Sequence, residues 1–321
     1  MAPQPKNLWL VPLLLVLALL APPAGAENGT AQSSADAEAI TRSQQQPQSS
    51  ESLADLLARK ASAAELFANS EWIEAEKLVD GRAEIETADT YATPEAKAKR
   101  RFVFGGEEII GYDAALPRLV LGAKAFAPGG QVASGKHAVL LIGAPGSGKS
   151  TLALKIATLD SAGIVDADLV KEALPEYVGG TGTQAVHRES VEIAHLVANE
   201  FILRGENFIW PRTGHTAASI RRIAETLKDH GYSVDLINVD VSDDEAARRV
   251  VKRFLETGRM VQARFLKESR EHAHDSYEEL KRDGVADRYA ELDSTGTWPW
   301  PILQDGEAVS GLLGGDGAAV R

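Results

Sequence analysis

From His137 onward the chain alternates short apolar runs with amphipathic stretches. His137 to Ile142, Gly163 to Asp166, Asn207 to Trp210 and Ser233 to Val241 are strand-like runs. Between them, Val186, Ile193, Val197 and Phe201 recur at helical spacing, as do Ile220, Ile223, Ala224 and Leu227. A third stripe comprises Val250, Val251, Phe254 and Leu255. Strands alternating with helices predict an α/β fold, a parallel sheet with helices on both faces. Upstream, Leu53, Leu56, Leu57, Leu66 and Phe67, then Trp72, Ile73 and Leu78, predict a helical segment before the sheet.

The extreme N-terminus has a different pattern. Lys6 precedes an uncharged apolar run, Leu8 to Ala21, and Ala24-Gly25-Ala26 supplies small residues for cleavage. This predicts a signal peptide over 1–26 and export to the periplasm or outside the cell. Pro12 and Pro22-Pro23 disfavour a stable membrane span. The alternatives are an uncleaved anchor or a cytoplasmic chain with a later start. Residues 27–52, rich in Ser and Gln, predict a disordered linker. The helical segment is expected over 53–130, the sheet domain over 131–293 and a tail over 294–321, with Trp298-Pro299-Trp300-Pro301 at the tail's start as a cap on the sheet or a contact surface. The absence of cysteine is compatible with export and decides nothing.

Composition narrows the function. With 321 residues and 44% hydrophobic content the chain can bury one substantial core. A net charge of −12 and a pI near 5.1 disfavour a nucleic-acid partner. The cluster Lys97, Lys99, Arg100 and Arg101 reads as a solvated helix end.

The chemistry is concentrated after the first strand. Gly143, Ala144, Pro145, Gly146, Ser147, Gly148, Lys149, Ser150 and Thr151 form a phosphate-binding loop between strand and helix. Its glycines let backbone N–H groups turn around phosphate oxygens. Lys149 is placed to reach the β and γ phosphates, and Ser150 to offer its hydroxyl to Mg²⁺. ATP with Mg²⁺ is the expected ligand. The second strand ends in Asp166-Ala167-Asp168; continued as extended chain, this spacing sets both carboxylates on one face. One can hold Mg²⁺ and the other accept a hydroxyl proton, or Asp168 can cap the helix that follows.

In ordered series, the loop, Ile164 to Lys171 with Leu174-Pro175-Glu176-Tyr177, Val186 to Ser190, Gly231-Tyr232, Arg253 and Gly258-Arg259 resemble the zeta toxins, a family of phosphate-loop kinases. The resemblance implies phosphorylation of a hydroxyl on a nucleotide sugar such as UDP-N-acetylglucosamine, or a similar small molecule, and leaves room for an antitoxin-like protein partner. It makes Ser150 a Mg²⁺ residue, Asp168 the general base, and Arg253 and Arg259 lid arginines acting beside Lys149; of the two carboxylates, Asp166 is then the one left to hold Mg²⁺. Planar guanidinium groups suit charge on a transferring phosphoryl group; the alternative is that Arg248, Arg249, Arg253 and Arg259 are a wet helix face paired with Asp243, Asp244 and Glu256. The third strand departs from the family by ending in Trp210-Pro211-Arg212 where relatives carry an acid, and Leu174-Pro175 replaces a His-Pro pair. Arg212 and His215 are candidates for a replacement contact.

Overall fold

The computed structural model describes residues 51–80, 86–93, 101–104, 107–111, 132–174, 176–177 and 182–310. The expected signal peptide, nearly all of the expected linker, Lys97, Lys99, Arg100 and the tail beyond 310 lie outside the described residues.

Three helices open the described chain: α1 (Leu53–Ala58), α2 (Ala63–Phe67) and α3 (Ser70–Asp80). Serines start the first two. Ser52 accepts from the Asp55 N–H, and Ser62 with Glu65 forms a reciprocal capping box. A short α4 (Thr87–Thr90) follows, then an antiparallel pair, β1 (Arg101–Phe104) and β2 (Glu107–Gly111). The segment expected to be helical over 53–130 therefore also contains a hairpin.

The main domain runs β3 (His137–Ile142), α5 (Lys149–Leu159), β4 (Gly163–Ile164), α6 (Ala167–Ala173), α7 (His187–Arg204), β5 (Phe208–Pro211), α8 (Ala217–Asp229), β6 (Ser233–Asp240), α9 (Asp243–Thr257), α10 (Ala263–Arg282), β7 (Arg288–Asp293), β8 (Ile302–Gln304) and α11 (Glu307–Ser310). The sheet order is β4-β5-β3-β6-β7-β8, parallel except for the antiparallel edge strand β8. The pleat of β3 divides the core. Ala138, Leu140 and Ile142 pack with α7, α8 and α10, while Val139 and Leu141 pack with α5 and α11. Helices cover both faces, as the apolar periodicity predicts.

One expected feature is extended and one is corrected. The described part of the expected tail adds to the sheet and core, because Ile302 pairs with Leu292 and Ala308 and Val309 are buried. The stripe of α9 does not cover the sheet. Val250 and Val251, with Phe254 and Leu255 at the margin, join Leu53, Leu56, Leu66 and Trp72 in a third cluster, so α9 is clasped by the N-terminal helices. Trp72 is fully buried and meets Phe254 edge-on, with ring centroids 5.5 Å apart. Asp244 accepts from the Ala63 N–H at 2.8 Å, and Glu76 accepts from the Ala263 N–H at 2.7 Å at the start of α10. No helix among the described residues is long and apolar enough to cross a membrane.

Candidate active site

The phosphate loop occupies the carboxyl end of β3, where a parallel sheet presents its ligands. Gly143 and Gly148 hold φ of 148° and 87°. A Cβ on Gly143 would lie 2.5 Å from the Val239 carbonyl oxygen, and one on Gly148 would lie 2.7 Å from the Trp300 ring. Both glycines are therefore required by backbone conformation and by close neighbours. Lys149 Nζ donates to the Gly143 and Ala144 carbonyls at 2.7 Å each and to Ser147 Oγ at 3.3 Å. The ammonium group is thus held inside its own loop. Burial lowers its pKa to about 8, against the opposing pull of Asp166 and Asp168.

The loop is braced from α9 and from the chain after β7. Arg249 donates to the Gly146 carbonyl at 3.1 Å and to the Ser294 carbonyl at 2.6 Å, and Glu245 steadies it at 2.8 Å. Ser294 Oγ donates to the Ser147 carbonyl at 2.7 Å. Arg249 is therefore a structural brace and not part of a wet face. These contacts were invisible in the sequence because Arg249 and Ser294 lie 103 and 147 residues from their loop partners.

The two carboxylates do not continue as extended chain. The backbone turns helical at Ala167, so Asp166 is the cap of α6, accepting from the Asp168 N–H at 2.9 Å, and Asp168 sits in the first turn. The capping role falls to Asp166 and not to Asp168. The environments of the two acids push them apart. Burial and the neighbouring Asp168 raise the Asp166 pKa to about 6. Burial also acts to raise Asp168, but Arg259 and Lys171 outweigh it and hold that group at about 2. Asp168 is 2.6 Å from Arg259 and 3.2 Å from Lys171. The i,i+3 spacing of Asp168 and Lys171 was a readable signal that the sequence reading passed over.

Arg253 and Arg259 converge on the same place from α9 and the turn after it; both face Asp166, Asp168 and Tyr177. Arg253 has no carboxylate partner among the described residues, and its buried Nε and one terminal nitrogen have no hydrogen bond; neither has Arg259 Nε. Buried guanidinium donors without acceptors are costly in isolation. Beside a phosphate loop they fit a polyanion, which would supply several oxygens at once. The remaining requirement of a nucleoside triphosphate is Mg²⁺. The exposed Ser150 hydroxyl and the Asp166 carboxylate suit it, because Mg²⁺ takes few protein ligands and draws the rest from phosphates and water. Accordingly, no group of three or more metal-ligating side chains occurs among the described residues.

Strand β5 closes with Trp210 and Pro211, and Trp210, only 4% exposed, can neither accept a proton nor hold a metal. Arg212 lies over its ring, with the guanidinium carbon 5.5 Å from the centroid. His215 turns elsewhere. Its Nδ1 is 2.9 Å from Nδ1 of His272 on α10, leaving Arg212 as the side chain near the site.

The family model for Zeta toxin matches residues 130–297. Among solved structures, the chain is similar to one from the PezAT chromosomal toxin-antitoxin system of Streptococcus pneumoniae, at 18% identity over 55% of this chain and 73% of that one, with a TM-score of 0.46. It is also similar to the AvrRxo1-ORF1:AvrRxo1-ORF2 structure with sulphate ions, at 16% identity over 49% of this chain and 54% of that one, with a TM-score of 0.40. No curated protein matches.

Proposed function

The chain belongs to the zeta toxin family, and from that premise we propose that it transfers the γ-phosphate of ATP to a hydroxyl of a nucleotide sugar or similar small molecule. The observation that carries the reading is the convergence of Lys149, Arg253 and Arg259 on the carboxylate of Asp168 beside a phosphate loop. Phosphoryl transfer asks a protein mainly for positioning and for charge to match the three equatorial oxygens. Three cations around one acid are that apparatus. When bound at Ser150 and Asp166, Mg²⁺ would supply neutralisation of the phosphate chain.

The residues divide the work as follows. Lys149 exchanges the Gly143 and Ala144 carbonyls for phosphate oxygens, and the new charge partner restores the proton affinity that burial has lowered. Arg253 gives its unpaired donors to the transferring group. Arg259 moves from Asp168 toward the same oxygens. That exchange matters for the base, since a carboxylate held near pKa 2 by an ion pair is a poor proton acceptor. Freed from Arg259, Asp168 becomes basic enough to take the acceptor's hydroxyl proton. The hydroxyl oxygen bonds the γ-phosphorus as the bridging P–O bond breaks, and ADP leaves with that electron pair.

The test is product analysis by mass spectrometry after incubating the protein with Mg-ATP and a panel of UDP-sugars, nucleosides and dinucleotides, beside Lys149→Ala. A phosphorylated acceptor absent from the control is the expected result. ATP binding with no acceptor-dependent ADP would overturn the kinase reading and leave a nucleotide-binding module.

A further inference from the structure

We propose that Trp298 is the base-stacking residue of the nucleotide site, the aromatic surface on which a purine ring rests while its phosphates occupy the loop over 143–151. The inference rests on nucleotide occupancy of that loop, as read above, and not on transfer of a phosphoryl group to any acceptor. The family match ends at residue 297, so Trp298 lies just beyond what the family shares.

The two tryptophans of Trp298-Pro299-Trp300-Pro301 have different surroundings. Trp300 is 8% exposed and belongs to the core cluster of α5 and α11, with Leu152, Ile156, Leu292 and Ala308. It is the cap on the sheet. Its ring also reaches the phosphate loop, at the 2.7 Å approach that Gly148 alone allows. Trp298 is 38% exposed, although Trp300 stands edge-on to it at 5.4 Å between centroids and Lys155 Nζ lies 4.7 Å from its centroid. The core is complete without it. A single exposed apolar side chain is ordinary, so it is the position of this ring that carries information.

Thr151, the exposed last residue of the loop, and Lys155 are four residues apart on one face of α5, about 6 Å along its axis. Trp298, held against Lys155, therefore stands about one helical turn from the phosphate site, a separation that a ribose bridges between a phosphate chain and its base. The platform is also fixed in place. Pro299 and Pro301 restrict the backbone on either side of Trp300, and the Pro301 carbonyl accepts from the Asp293 N–H at 3.0 Å. At the other end of the segment, Ser294 is tied to Arg249 and to the Ser147 carbonyl of the loop itself. A ring already immobilised loses little freedom when a ligand arrives. An indole face takes a purine by stacking, whatever hydrogen bonds the edge of the base makes. Lys155, paired with no carboxylate among the described residues, sets a cation at the same place, within reach of the phosphate chain that the base brings with it.

The test compares a non-hydrolysable ATP analogue with inorganic tripolyphosphate, each titrated with Mg²⁺ into the full chain by calorimetry. Trp298→Ala should lower analogue affinity about tenfold and leave tripolyphosphate affinity unchanged, with Trp298→Phe between Trp298→Ala and wild type. Unchanged tripolyphosphate binding also establishes that the variants fold. In the wild-type chain, nuclear Overhauser contacts from the adenine protons to an indole whose signals vanish in Trp298→Phe should report the stacking directly. Equal loss of both affinities would make Trp298 a support of the loop, and unchanged analogue affinity or no adenine contact would make it a surface for a protein partner; each overturns the proposal. A wild type that binds neither ligand overturns it together with the nucleotide reading. Analogue binding through Trp298 in a protein that releases no acceptor-dependent ADP leaves the proposal standing while the kinase reading falls.

Discussion

The two ends of the central sheet treat charge in opposite ways. At the amino end of β3, His137 lies between Asp160 at 3.1 Å and the fully buried Asp235 at 2.9 Å, and Arg288 closes on Asp235 through two nitrogens at 2.7 and 2.6 Å. Each charge there has an opposite within the fold. At the carboxyl end of the same strand, Arg253 and Arg212 have no carboxylate partner among the described residues, and Lys149 hydrogen-bonds only within its own loop, to two carbonyls and the Ser147 hydroxyl. Neutralisation at one end stabilises the fold, and its lack at the other leaves donors for something that comes and goes. Buried charges occur at both ends, as Asp235 and Lys149 show, so the presence of partners, and not burial alone, distinguishes a structural charge from a functional one.

The contrast can be broken at either end. Lys149→Ala should lower phosphoryl transfer by about 10³-fold with little loss of stability, read as acceptor-dependent ADP release beside a thermal melt. Asp235→Ala should do the reverse, destabilising the fold by about 3 kcal/mol by taking from Arg288 its carboxylate and leaving His137 with Asp160 alone, while analogue binding in the surviving folded fraction stays intact. Denaturant unfolding followed by circular dichroism measures it. Arg253→Ala should slow transfer by about 10²-fold and leave the melting temperature unchanged or raised, since it removes unpaired buried donors. A lowered melting temperature would show that Arg253 is structural. The smallest effect is that of pH. Burial would lower the His137 pKa, but Asp235 and Asp160 prevail and raise it above 6.5. Its stabilisation is therefore complete below 6.5 and lost as pH rises through the folded value. Thermal melts across that window should show a decline that His137→Gln flattens.

Much of this was legible in the sequence, for identifiable reasons. The strand β3 was readable because both its faces are buried, giving a continuous apolar run, and the phosphate loop because its glycines answer to local backbone geometry. Asp168, Lys149, Arg253 and Arg259, singled out by the family resemblance, are neighbours in the fold. What escaped depends on distant partners. The third stripe announced that α9 has an apolar side but could not say that α1 to α3, and not the sheet, would cover it. Strand β7, Arg288–Asp293, mixes charged and apolar residues because Arg288 and Glu291 are paired within the fold, which removes the apolar signature of a buried strand. The turn at Ala167 was lost to an assumption of extended chain, although an Asp at a helix start was the available clue.

The clasp of the N-terminal helices on α9 separates homology from folding. The family match begins at residue 130, yet Trp72, Leu53, Leu56 and Leu66 lie outside it and bury Val250, Val251 and Ala144, the last of these in the phosphate loop itself. A chain cut at the homology boundary would lay bare an apolar patch on the helix that carries Arg253. It would be expected to clump, or to hold its arginines loosely, even with every motif residue present. The smallest piece that inherits the chemistry and the smallest piece that can stand alone in water are therefore different lengths of this polypeptide.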